Sequence, residues 1–122
     1  MIRIFIIMIF CLGTFILCSG QEKQAQKLLS EAIYMEVVNG KLDEAIKAYQ
    51  VVLKQFPDER EVAAEALFHL GMCYEKLGTR DAVNTYKQLV SNYPDQKNFG
   101  AQARNRLNRL IALAENELKA PL

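Results

Sequence analysis

From Glu22 onward apolar residues return every three or four positions, the spacing of one helix face, and the strict alternation of a strand is absent. The pattern predicts five α-helices. The first runs from about Glu22 to Val38 with Ala25, Leu28, Ala32 and Met35 on one side, and Asn39-Gly40 ends it, because glycine takes a left-handed cap without strain. The second spans about Leu42 to Gln55, its stripe made of Ala45, Ile46, Tyr49, Val52 and Leu53. Pro57 stops it, having no amide to donate. Asp58 then has the chemistry of an N-cap, with Glu61 completing an acidic capping box. The third helix carries Ala63, Ala66, Leu67, Leu70, Gly71 and Tyr74 and closes at Gly78. Thr79 is the expected cap of the fourth, whose stripe is Ala82, Val83, Tyr86, Leu89 and Val90, and Pro94 ends it. The fifth runs from about Asn98 to Lys119 with Phe99, Ala103, Leu107, Leu110, Ile111, Ala114 and Leu118 on a single face. Short turns make neighbouring helices antiparallel, so the expected fold class is all-α.

The stripes repeat. Ala45, Tyr49, Pro57 and Asp58 recur 37 residues later as Ala82, Tyr86, Pro94 and Asp95, while Ile46, Leu53 and Phe56 recur in kind as Val83, Val90 and Tyr93. Ala64, Ala66 and Leu70 return at the same interval as Ala101, Ala103 and Leu107. Self-similarity at this period marks stacked helical pairs, each unable to bury its apolar face alone. Two units, about 22–57 and 58–94, are therefore followed by a helix of about 98–119 that opens an incomplete third unit and serves as a cap; 120–122 form a tail. Closely crossing helices need small side chains where backbones meet and a large flat one beside them. Ala32, Ala45, Gly71 and Ala82 are the small ones, and Tyr49 and Tyr86 the fillers.

A small residue, a glycine turn, an alanine, an aromatic four residues on and a proline eight after that resembles the tetratricopeptide repeat. Ala32, Gly40, Ala45, Tyr49 and Pro57 carry the likeness in the first unit, and Gly71, Gly78, Ala82, Tyr86 and Pro94 in the second. The period of 37 is longer than the family's usual 34 or so, and Met35 and Tyr74 occupy the site where the family prefers tyrosine. Among exported members the chain is similar to bacterial envelope proteins such as the Tol–Pal-associated coordinator and the outer-membrane barrel-assembly lipoprotein. The resemblance implies an antiparallel helix-turn-helix solenoid that grips a peptide or helix of a protein partner in a groove lined by the first helix of each unit. Carried over position by position, that groove takes Gln26, Leu29, Ile33 and Glu36 from the first unit. The second unit supplies Glu65, Phe68, Met72, Glu75 and Lys76, and the cap helix Gln102, Asn105 and Arg109. Leu29, Ile33, Phe68 and Met72 would make an apolar floor and Glu36, Glu65, Glu75 and Arg109 a charged rim, the build of a binding patch. The competing reading is that Phe68 and Met72 pack against neighbouring helices.

Residues 1–20 read as an address label. Arg3 precedes an uncharged run from Ile4 to Cys18 and the small pair Ser19-Gly20, the make-up of a secretory signal peptide cleaved after Gly20. An uncleaved anchor and a lipid on Cys18 are the alternatives, and each places residues 21–119 outside the cytoplasm, in the periplasm or cell envelope. Contact with a membrane is expected only through this segment. Without Arg3 the remaining chain carries equal numbers of basic and acidic residues, which argues against nucleic acid as a partner. Cys73 would then be the lone cysteine, unable to form an intrachain disulfide.

The chemistry candidates are thin. Glu65, His69 and Cys73 recur every four residues but fall short of a zinc ligand set, and Cys73 with His69 lacks an orienting third group. No phosphate-binding glycine loop exists, because the glycines at 40, 71, 78 and 100 stand too far apart. Paired acids such as Asp43/Glu44 and Glu59/Glu61 sit at helix starts, where they favour the dipole. Arg104, Arg106 and Arg109 crowd the first half of the last helix against its dipole, so acidic groups of the preceding unit or a partner are the expected compensation, a solvated basic face being the alternative. The expectation is a non-catalytic adaptor without cofactor or metal. Its alternatives are a module that self-associates through the open face of the last helix around Leu110, Leu113 and Leu118, or the repeat module of a longer envelope protein.

Overall fold

The helical periodicity becomes five α-helices in a computed structural model, which describes the backbone of residues 2–121 and the side chains of 19–121. They are α1 (Ile2–Val37), α2 (Leu42–Gln55), α3 (Arg60–Leu77), α4 (Asp81–Asn92) and α5 (Lys97–Lys119). No strand occurs among the described residues. Each helix packs on its chain neighbours, and α3 also touches α1 and α5, so the first helices of successive units stand side by side.

Helix ends follow the turn chemistry in part. Gly40 and Gly78 adopt φ of 63° and 68°, the left-handed region that only glycine enters freely. Helices α2 and α4 stop at Gln55 and Asn92, with Phe56 and Tyr93 forced out of helical geometry by the prolines that follow them. Three expectations fail. α1 does not begin near Glu22 but is continuous from Ile2, because nothing between Cys18 and Glu22 breaks a helix. Asp58 is not an N-cap: Glu59 holds that place in α3, without a side-chain bond to the helix. Thr79 does not cap α4 either, since Arg80 stands there and the Thr79 hydroxyl turns back to the carbonyl of Tyr74 at 3.3 Å.

The core lies in two clusters that meet at α3. Ala25, Leu29 and Ala32 of α1 and Ala45, Tyr49 and Val52 of α2 pack with Val62, Ala66, Leu70 and Cys73. The opposite side of α3 offers Ala63, Ala64, Leu67 and Phe68 to Ala82, Tyr86 and Leu89 of α4 and to Ala103 of α5. A helix covered on two sides needs a wide apolar sector, and α3 buries nine residues accordingly. Gly71 is small for a measurable reason: a Cβ there would sit 2.4 Å from the Tyr86 ring.

The apolar face of α5 is only half used. Gly100 and Ala103 are buried and Phe99, Leu107 and Leu110 half-buried, but Ile111, Ala114 and Leu118 are exposed. The cause is length: α5 has 23 residues against 12 in α4, and outruns the hairpin beneath it. The expected leader, with Cys11 and Cys18, lies outside the residues whose side chains are described. Among the described residues no helix is long and apolar enough to cross a membrane.

Candidate protein-docking face

The junction between the two units is built on a carboxylate. Glu36, in the last turn of α1, is only 4 % exposed. Three donors converge on it: Tyr49 Oη at 2.7 Å from α2, and His69 Nδ1 and Lys76 Nζ, each at 2.8 Å, from α3. Burial alone would raise the Glu36 pKa, but the bonds from His69, Lys76 and Tyr49 outweigh it and hold the carboxyl at about 2. An ionised carboxylate can only accept, so His69 carries its proton on Nδ1. The His69 ring stacks on Tyr49 with centroids 5.7 Å apart. Burial and the Glu36 charge push the Tyr49 phenol far above its usual range, which keeps it a donor.

The junction between α3 and α5 repeats the plan. Glu75, one turn from the end of α3, pairs with Arg106 of α5, whose guanidinium lies 5.5 Å from the Phe68 ring centroid. Arg106 follows His69 by the repeat period, so each seam sets a carboxylate of one unit against a nitrogen donor of the next. Tyr86 takes the place of Tyr49, yet its buried Oη has no hydrogen-bond partner among the described residues. Burial, then the nearby Glu75 charge, push its pKa up, so this phenol also stays neutral.

These seams fix the side of α3 that remains open. Glu65, His69, Met72 and Lys76, at spacings of four, three and four, share one sector of α3; the first three are half-buried and Lys76 is exposed. On α5 the exposed Gln102, Asn105 and Arg109 occupy the equivalent sector, and on α1 the exposed Gln26 and half-buried Ile33 do. Twelve residues were expected to form the docking groove. Gln26, Ile33, Glu65, Met72, Lys76, Gln102, Asn105 and Arg109 are solvent-accessible.

The other four are not available to a partner. Leu29 and Phe68 lie in the core, because the first helices are covered on two sides and a single-stripe reading underestimates the buried sector. Glu36 is consumed by its three donors and Glu75 by Arg106, so neither forms a charged rim. Among the described residues, the compensation sought for the arginines of α5 exists for Arg106; Arg104 and Arg109 stay exposed. His69 and Tyr49 were missed as partners of Glu36. The signal was an acid near the end of each first helix, Glu36 and Glu75, 39 residues apart, beside His69 and Arg106, 37 apart.

Among the described residues no group of three or more His, Cys, Asp or Glu side chains is placed to hold a metal ion. Cys73 is buried and free, and burial, helped by the Glu36 charge, pushes its thiol up to about 12, far from the thiolate a nucleophile needs. The accessible face presents two half-buried apolar side chains, amides, and charges of both signs.

Comparison with protein families matches residues 14–59 and 65–95, more than half of the chain, to the tetratricopeptide repeat. Comparisons with curated proteins and with solved structures find no match.

Proposed function

The chain belongs to the tetratricopeptide repeat family, generally one of non-catalytic protein–protein interaction modules, and on that premise we propose that it is an adaptor of the cell envelope. It holds a peptide or helix of another envelope protein on the face shared by α1, α3 and α5. One observation carries the reading: the Glu36 and Glu75 seams occupy His69, Lys76 and Arg106 and leave Ile33, Glu65, Met72, Asn105 and Arg109 accessible. An apolar pair, Ile33 and Met72, bordered by charges and amides suits a segment with alternating apolar and polar residues. The envelope location rests on Arg3, the uncharged run Ile4–Cys18 and Ser19-Gly20. The mass of the secreted or membrane-bound form would show cleavage after Gly20, retention of the segment, or a lipid on Cys18; a cytoplasmic full-length product contradicts the location.

Phe68 is too deeply buried to test docking, because a polar residue there would damage the core. Asn105→Lys and Arg109→Glu are suitable instead, both being exposed. Each should leave the helical content intact and cut recovery of the partner from an envelope fraction at least about tenfold, a loss of about 1.4 kcal/mol. Undiminished recovery by the double variant contradicts docking on this face.

Self-association is the second reading, favoured by Leu113 and Leu118, which are 54 % and 86 % exposed on α5. Light scattering decides it: a mass that rises with concentration and falls back in Leu118→Lys supports a dimer.

A further inference from the structure

A depression between α4 and α5 is lined by Val90, Tyr93, Pro94, Lys97, Gly100, Ala101 and Arg104. Moved back by the 37-residue period, these positions are Leu53, Phe56, Pro57, Arg60, Ala63, Ala64 and Leu67. That earlier set is where α4 and the turn after it are received. Ala63, Ala64 and Leu67 pack with Tyr86, Leu89 and Tyr93, and Leu53 borders the same cluster. Tyr93 Oη donates to the Pro57 carbonyl at 2.9 Å. Arg60 grips Asp95 through Nε, 2.9 Å from each carboxylate oxygen, and lies over the Tyr93 ring. The depression thus presents, one period on, the parts that hold a second helix of a unit.

We infer that the α4–α5 depression docks one amphipathic, net-acidic helix of a protein partner, ending in an aromatic–proline–acid turn like those after α2 and α4. The occupant extends the array by one helix. Its aromatic hydroxyl donates to the Pro94 carbonyl as Tyr93 does to Pro57, and its acid pairs with Lys97 as Asp95 does with Arg60. Two differences between the junctions set its chemistry. Leu67 becomes Arg104, exposed and without an ion-pair partner among the described residues, so the occupant presents a carboxylate where Tyr86 and Leu89 present hydrocarbon. Gly71 becomes Asn108, and since a Cβ at Gly71 would already collide with Tyr86, the occupant has a small residue where α4 has that tyrosine. α4 itself therefore does not fit the site unchanged, which favours a foreign helix over a second copy of the chain.

The site offers a clean variant. A Cβ added at Gly100 meets no atom within 4 Å, so a side chain has room to start there, and an unchanged Tm of Gly100→Leu verifies that the fold accepts the larger residue. The probe is a labelled peptide of residues 80–95 carrying Tyr86→Ala and Leu89→Glu, titrated to about 1 mM by fluorescence anisotropy. A control peptide adds Tyr93→Phe and Asp95→Asn. Binding to the wild type is expected, weakened about tenfold or more by Gly100→Leu, by Lys97→Glu with Arg104→Glu, and in the control peptide. Arg109→Glu should leave it unaltered, which separates this site from the shared face. Equal binding by Gly100→Leu, or none by the wild type, overturns the inference. Sedimentation showing a wild-type dimer that Gly100→Leu dissolves would name a second copy as occupant and overturn it equally.

Discussion

Truncating Glu36 strands three donors from three sites in the chain. Glu36→Ala should cost about 2–3 kcal/mol in denaturant unfolding, the value of hydrogen bonds to a charged group. The pH dependence has a definite sign. The folded pKa of about 2 lies below the ordinary 4.5, so the stabilisation is complete above about 4.5 and is lost as pH falls toward 2. Asp95, held low by Arg60, acts in the same direction at the surface. Glu36→Gln should flatten the decline between pH 4.5 and 2 without abolishing it; a profile identical to wild type means that the carboxylate is not paired as described. At the second seam Tyr86→Ala should cost about 3–5 kcal/mol, because its ring fills the gap beside Gly71. Gly71→Ala should cost about 1–3 kcal/mol through overpacking against the same ring. Tyr49, Tyr86 and their small partners were legible because bulk and smallness recur together in the sequence. Glu36 was not: a carboxylate reads as surface by type, and its donors lie 13, 33 and 40 residues away, beyond any local pattern.

Helices α2 to α5 were legible almost to the residue, since glycine and proline act locally on the backbone that contains them. Their starts were less so. None of these four helices has a side-chain N-cap bond, so the residue types that usually mark a start carried no weight, and Asp58 and Thr79 were misplaced by one position. That gap is also an opportunity. Glu59 occupies the cap position of α3 without using its side chain, and Glu59→Ser should stabilise the protein by about 1 kcal/mol, seen as a raised denaturation midpoint. No change would indicate that the α3 start already draws its bonds elsewhere. The stripe of α5 was read correctly as one face, but its burial was not, because coverage depends on how far the neighbouring hairpin reaches.

At the scale of the whole molecule, two units and a cap helix form a row in which only neighbours touch. Repetition made the row legible, since equal spacing of equal residues means equal packing. The accessible face was legible only in part: of the positions inferred from the resemblance, eight are solvent-accessible and four are absorbed by the seams and the core. A sequence shows which residues share a side of one helix, while the next helix decides how much of that side stays open. The account therefore rests on one face of α3 and its neighbours being the part another protein touches. Site-specific photo-crosslinking tests this most directly, with the probe placed at Met72, Asn105 or Arg109 and, for comparison, at the exposed Lys47 of α2 and Lys87 of α4. The account predicts a crosslinked partner from the first three positions and none from the last two; equal yields at Lys47 and Lys87, or none at Met72, would contradict it.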